Sequence, residues 1–461
     1  MITNSKRSKY EKYVESTEIN KILKFDSMFL ESFYDYLEMM DYSTSQYKRK
    51  PAYSIFFSIG GIIIGIIIGF YIRLKYKNTK INNADFEFIS SPSHFNRFIE
   101  VNSYIHNSII IYMPEFYNKL LLSNLRQHKE NNNNIYVITY SLSTLFFYLK
   151  NLLHNWKIYK KIICLSKTNI LDIRVQNAAI AFLLKYILYK QSIEKIGAHI
   201  FKNKIIVFDH DKAAYSYLFK QITNKTVTLC HGSFVGNNLY YVRSLANYIL
   251  STCLREKNTI IKYSNNIEEN NIFSVGVPLQ SFELYKSLKM VDKKDKILII
   301  GTTGHFEMQI TLLRFLNETN ANYIYRFRPA SKNKDYEILR DYLNIESISI
   351  IPSLEEDCSH YKKIISFSLD ALGTCIRNKN QILIYISNEE YNNYDMVGIC
   401  TNEIIVTSDN DVVKDFILSP YIIIEEYSEN TEKWIIDNIG HYQKDRVYNN
   451  IVSALKLILD D

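Results

Sequence analysis

Between Pro51 and Ile72 the chain runs for 22 residues without a single charge, PAYSIFFSIGGIIIGIIIGFYI. At about 1.5 Å per residue, a helix of that length matches the roughly 30 Å hydrocarbon layer of a bilayer. The alternative is a buried core helix, but soluble helices seldom carry isoleucine on every face. The run begins 50 residues in and lacks a small-residue cleavage site, unlike a cleaved signal peptide. The expectation is therefore one transmembrane helix over 51–73, preceded by a charged helical segment over 1–50. Lys48, Arg49 and Lys50 precede the run, whereas Arg73, Lys75, Lys77 and Lys80 follow it. That excess favours a single-pass protein of the inner (cytoplasmic) membrane with its larger part on the cytoplasmic side. Gly61, Gly65 and Gly69 recur every four residues, a flat strip through which a second copy's helix could approach closely. A homo-oligomer joined by that strip is thus open.

The remainder is globular. Hydrophobic residues make up 47% of the 461 and charged residues 22%, which excludes a disordered or fibrous chain. A net charge of +7 is mild for this length and gives no reason to expect nucleic acid as a partner. The six cysteines are scattered, with no CxxC and no histidine at ligand spacing, so no metal site is expected. Most read as small buried hydrophobes in a reducing compartment.

Beyond the span, short β-branched runs alternate with helical stretches. The expected strands are FEFIS (86–90), IIIY (109–112), IYVIT (135–139), KIIC (161–164), KIIVF (204–208), TVTLC (226–230), NYILST (247–252) and IFSV (272–275). A second series follows the charged run VDKKDK (291–296): ILII (297–300), NYIYRF (322–327), SISII (347–351), KIIS (363–366), ILIYI (382–386) and EIIV (403–406). Continuous apolar strands separated by helices indicate parallel sheets covered on both faces. The fold class is α/β, with two Rossmann-like domains over 80–290 and 291–430 and a C-terminal helix over 431–461. Ligands of such sheets bind at the carboxyl ends of strands, so the loops that follow the strands carry the candidate chemistry.

Five loops stand out. CHGSFVGNN (230–238) follows a strand; Gly232 would allow a sharp turn, and His231 could take a proton from an acceptor hydroxyl or merely satisfy the turn. FDHDKAA (208–214) offers Asp209, which could orient His231, act as a base, or cap the next helix. IIGTTGHFE (299–307) places Thr302, Thr303, Gly304 and His305 between a strand and a helix start, a cradle of backbone N–H groups suited to phosphate. Its spacing is neither a Walker motif nor GxGxxG. In YRFRPAS (325–331), strand alternation puts Arg326 and Arg328 on one side ahead of Pro329. Two guanidiniums there suit phosphate, with surface ion pairing as the plainer alternative. In IISFSLDALG (364–373), Ser366 and Ser368 could hold a phosphate or ribose, or Ser368 could cap a helix.

Taken together, the order of CHGS, NYILST…VGVP, RFRP and SFSLDAL resembles that of GT-B-fold bacterial surface-polysaccharide glycosyltransferases over about residues 86–430. This loose group includes polysialyltransferase-like capsule enzymes and CDP-glycerol glycerophosphotransferases. The resemblance implies His231 as general base and Arg326, Arg328, Pro329, Ser366 and Ser368 as donor-phosphate ligands. It also implies transfer from a nucleotide sugar to a glycan or lipid-linked glycan acceptor at the membrane, without a cofactor. The sequence departs from the pattern where the group's usual histidine before proline is Arg328, which can stabilise charge but, being permanently protonated, cannot act as a general acid. A nucleotide-sugar epimerase and a non-catalytic membrane scaffold are the competing expectations.

Overall fold

The computed structural model describes residues 4–42, 51–75, 85–90, 95–105, 107–112, 135–165, 173–208, 212–230, 244–264, 267–276, 294–302, 306–328, 332–343, 345–351, 353–367, 371–386, 403–441 and 443–460. It is a mixed α/β protein with two wholly parallel sheets. The first comprises β1 (Phe86–Ser90), β2 (Ser108–Tyr112), β3 (Ile135–Val137), β4 (Ile205–Phe208), β5 (Thr226–Leu229), β6 (Tyr248–Ser251) and β7 (Ile272–Ser274). Their spatial order is β3-β2-β1-β4-β5-β6-β7. The second holds β8 (Lys294–Ile300), β9 (Tyr323–Arg326), β10 (Tyr361–Ser366), β11 (Gln381–Tyr385) and β12 (Ile404–Thr407), in the order β12-β11-β10-β8-β9. The first six strands of sheet one follow the doubly wound order 3-2-1-4-5-6, and sheet two, read from its β9 edge, follows 2-1-3-4-5.

Burial on both faces explains why these strands read as unbroken apolar runs. Phe86, Phe88, Ile110, Val207 and Val227 point to one face of the first sheet, where Val447, Tyr448, Ile451 and Leu455 of the helix Lys444–Asp460 cover them. Ile89, Ile109, Ile111, Ile206 and Phe208 point to the other, onto the helix Ile173–Ile196 and its neighbours. The expected single C-terminal helix is two, Glu429–Asn438 and Lys444–Asp460, parted at Gly440 with φ +107°. The second of them therefore completes the first sheet's domain.

The N-terminal segment belongs to that domain as well. Tyr10, Tyr13, Phe25, Phe29, Phe33 and Leu37 are buried in its core. The Phe25 ring stacks on Tyr217 at 4.8 Å and Phe33 packs on Phe182 at 5.0 Å. Ion pairs Glu18–Lys161 (2.6 Å) and Asp35–Lys212 (3.5 Å) add to the attachment.

The apolar run forms the helix Pro51–Lys75, long and apolar enough to cross a membrane by length and composition. It lies along the first domain rather than leaving it, with Ile55 and Ile62 in one core layer and Ile72 in the other. The glycine strip is correspondingly used within the chain. A Cβ on Gly65 would come within 2.5 Å of the Tyr140 ring, and one on Gly69 within 2.8 Å of Thr139. At Gly65 and Gly69 the expected partner, a second copy of the helix, is replaced by this chain's own β3 exit.

Two expected strands differ. KIIC lies within the helix Trp156–Leu165, where Ile158, Tyr159 and Ile162 are buried and Lys157, Lys160 and Lys161 are exposed. The apolar spacing is helical, and a four-residue window is too short to reveal it. Of SISII, Ser347 ends a 3-10 turn, Ile345–Ser347, and Ile348 makes one bridge, to Tyr325; Ile350 is 90% exposed, and among the described residues no further strand forms on that edge.

Candidate active site

In the second sheet the strand order reverses between β8 and β10, and a crevice outside their carboxyl ends is where such sheets take ligands. Ile300, the last residue of β8, pairs with Ser366, the last of β10. The 301–305 and 367–370 segments therefore leave neighbouring strand ends. Ser366 is fully buried and Thr302 half-buried at this point. Thr303, Gly304, His305 and Ser368 lie outside the described residues.

Buried side chains pin the first of these loops at its root. Gln309, on the inner face of the helix Phe306–Glu318, donates to the Thr302 carbonyl at 3.0 Å and accepts from the Thr302 N–H at 3.3 Å. Its Oε1 also accepts from the Tyr325 hydroxyl at 2.5 Å. That hydroxyl sits so close beneath Gly301 that a Cβ there would lie 2.2 Å from it. Only glycine fits, which explains this position without invoking a ligand. Burial pushes the Tyr325 hydroxyl far above its ordinary range, so it stays a donor.

The two arginines part company. Arg326 is 5% exposed, and its Nη1 donates to Asp357 Oδ2 and to the Ile351 carbonyl, both at 2.7 Å. Ser349 donates to the same carboxylate oxygen at 2.6 Å. Arg326 thus ties the 348–351 segment to the helix Leu354–Ser359, in place of the phosphate contact expected of it. Strand alternation was the source of that expectation, but β9 ends at Arg326 and the alternation ends with it. Arg328 is exposed just past the strand, and Pro329 lies outside the described residues.

In the first sheet the reversal falls between β1 and β4. Asp209 directly follows Phe208, the last residue of β4, and His231 comes two residues after Leu229, the last of β5. These strands are neighbours, with Phe208 opposite Thr228. Asp209, His231 and Gly232 themselves lie outside the described residues.

A further constellation joins the two halves. Glu256 Oε2 accepts from the Thr252 N–H at 2.6 Å and the Thr252 hydroxyl at 2.9 Å, capping the helix Leu254–Tyr263 that follows β6. Burial pushes its carboxyl up to about 7, with the Thr252 hydrogen bonds and Arg255 opposing. Beside it, the Cys253 thiol and Arg255 both donate to the Asn438 carbonyl. Gly276 and Gly440, both with positive φ, pack together here, and a Cβ on Gly440 would lie 2.0 Å from the Thr252 carbonyl oxygen. Gly276 thus serves the crossing between the halves. Gln309 and Glu256 were not singled out from the sequence, yet each leaves a trace. Gln309 is the lone polar member of the apolar series 309, 312, 313, 316, and Glu256 stands three residues after the helix cap Cys253.

No protein-family model matches the chain, and no curated protein matches it. Solved structures do. It is similar to a glycosyltransferase from Rickettsia africae (13% identity, 82% of this chain and 100% of that one, TM-score 0.46). It is also similar to a UDP-GlcNAc 2-epimerase from Methanocaldococcus jannaschii in complex with UDP-GlcNAc and UDP (14%, 81% and 99%, 0.48). A third is the wall teichoic acid polymerase TagF (11%, 90% and 99%, 0.41). At these values the fold assignment rests on the strand orders themselves.

Proposed function

We propose that the chain is a GT-B-type glycosyltransferase that moves a sugar, or a polyol phosphate, from a nucleotide-activated donor to a surface-glycan acceptor at the membrane. The observation that carries the reading is the pairing of Ile300 with Ser366, which roots two candidate phosphate loops side by side at the strand reversal of the second sheet. Thr302, Thr303, Gly304, His305 and Ser368, with Arg328 past the next strand, would hold the donor's phosphates, and Ser366, enclosed at the end of β10, would root the second loop. Arg326 supports this end of the sheet from below. His231, oriented by Asp209, would take the proton of the acceptor hydroxyl as its oxygen attacks the reacting atom of the donor, the anomeric carbon of a sugar or the phosphorus of a polyol phosphate. The bond from that atom to the leaving nucleotide phosphate breaks in the same displacement, and Arg328 stabilises the negative charge that departs. Two DxD spacings follow strands, Asp209–Asp211 after β4 and Asp409–Asp411 after β12. The proposal gives Asp209 to His231 and Asp409 to the helix cap, where it accepts from the Asp411 N–H, and uses no metal.

Thermal unfolding of the full chain with CMP, CDP, UDP and GDP tests the reading. One of them should raise the midpoint, since a ligand that binds only the folded state stabilises it by mass action. No shift with any of the four would favour the non-catalytic scaffold. Donor turnover without an acceptor would favour the epimerase.

A further inference from the structure

The helix Pro51–Lys75 has two faces in this structure, and they differ sharply. One is seated on the protein through Ile55, Ile62, Gly65, Gly69 and Ile72. The other exposes large apolar side chains: Phe56 at 69%, Ile67 at 65% and Phe70 at 66%. Phe56, Ile63, Ile67 and Phe70 fall within an arc of roughly 60° at about 100° per residue, so they make one stripe. The helix Leu142–His154 packs beside it and carries a stripe of its own, with Phe146 69% and Leu153 76% exposed. Trp156, half-exposed, begins the next helix. A surface this apolar marks an interaction site rather than a solvated face.

Charge identifies the occupant. No Asp or Glu occurs between Asp41 and Asp85, whereas Lys48, Arg49, Lys50, Arg73, Lys75, Lys77 and Lys80 do. Likewise none occurs between Glu130 and Asp172, against Lys150, Lys157, Lys160, Lys161 and Lys167. These two acid-free stretches are the ones that supply the apolar stripes. Apolar side chains on stretches of chain whose charges are cationic alone complement an anionic bilayer surface.

Connectivity decides how the helix meets that bilayer. A single crossing would put residues 1–50 and everything after 75 in different compartments. Yet Phe25 stacks on Tyr217, Phe33 packs on Phe182 and Glu18 pairs with Lys161. Both flanks of the helix thus belong to one folded body. We infer that the helix Pro51–Lys75 does not span the membrane but lies in the plane of an anionic leaflet, and that with the helix Leu142–His154 it forms a monotopic membrane-binding face of the first domain. The inference rests on the membrane association proposed above and not on the transfer chemistry.

Two experiments on the full-length chain test it. In flotation with phosphatidylcholine vesicles, adding phosphatidylglycerol should strengthen binding by roughly tenfold or more. The double substitution Phe146→Glu/Leu153→Glu, far in sequence from the apolar run, should weaken binding to those vesicles by roughly tenfold or more while the thermal midpoint holds. Unchanged flotation of a folded double variant would overturn the shared face, because a spanning helix would not depend on residues 146 and 153. The second experiment needs no substitution in the stripes. In a Cys164→Ser background, Ser16→Cys and Lys414→Cys are labelled in sealed cells with a membrane-impermeant maleimide. In-plane attachment gives the same answer at both sites, and opposite answers would establish a crossing. Neither readout involves turnover, so a failed donor assay leaves the result standing, and the reverse.

Discussion

Arg326 and Arg328 share a residue type and a neighbourhood, but their surroundings assign them different work. Removing the buried Arg326 side chain strands Asp357, which is fully buried and paired with it at 2.7 Å. Arg326→Ala should cost about 3–5 kcal/mol in urea unfolding, the usual penalty of an orphaned buried charge. Arg328→Ala, at an exposed position, should leave stability within about 0.5 kcal/mol. It should nonetheless weaken nucleotide binding by calorimetry roughly tenfold, the loss of one charge-assisted phosphate contact. Equal stability losses in the two variants would refute this division. Gln309 makes the complementary case, a residue whose effect on the site acts through the Thr302 backbone. Gln309→Leu leaves the Tyr325 hydroxyl buried without the Gln309 acceptor, a cost of about 1–3 kcal/mol. If the loop cradles phosphate, nucleotide affinity should fall beyond what Arg328→Ala alone removes.

Whole elements were legible in the sequence wherever burial on both faces leaves one apolar string. The strands from β4 to β6 and from β8 to β12 read directly, because the chemistry that makes a covered parallel strand is contiguous. KIIC failed because a short apolar run is ambiguous in period, and its buried neighbours Ile158 and Tyr159 fall outside it. The N-terminal segment failed for another reason. Its aromatic residues are spaced for a helix, but nothing local says that their partners are Phe182 and Tyr217, some 150 to 190 positions away. Glycine shows the same limit: Gly65, Gly69, Gly276, Gly301 and Gly440 each admit the close approach of another segment. Their scarcity marks them, but the sequence cannot name what approaches. The crossing at Gly440 gives a test at this scale. Gly440→Ala must place a Cβ against the Thr252 carbonyl oxygen at φ +107°. It should cost roughly 2–4 kcal/mol, about the sum of overpacking and backbone strain, whereas Gly60→Ala, with open space around it, should be nearly neutral in the same unfolding assay.

At the scale of the whole molecule, buried carboxylates couple folding to pH. Glu256, half-buried where the two halves meet with its Oε1 enclosed, is pushed up to about 7 by burial, and Glu87 in β1 is pushed up to about 7 for the same reason despite the Lys204 ammonium at 3.1 Å. The ordinary value of both is 4.5. Between those limits the folded chain keeps protons that the unfolded chain has released, so it binds more protons than the unfolded state. Stability contributed by these groups therefore falls as pH rises from about 4.5 and levels off above about 7. For one such group the full span is on the order of 3 kcal/mol, at about 1.4 kcal/mol per unit. Glu256→Gln isolates the effect, because a neutral amide oxygen can still accept from the Thr252 N–H and hydroxyl. Near pH 5 the variant should match the parent. Near pH 8, where the parent must hold a buried carboxylate, the variant should be the more stable by a few kcal/mol in urea unfolding. Parallel pH profiles for parent and variant would mean that Glu256 ionises freely and that the junction is open to water. Because the capped helix Leu254–Tyr263 leads off from the end of β6 and touches the Asn438 carbonyl, loosening at high pH should appear first as faster amide exchange around Thr252 and Gly440.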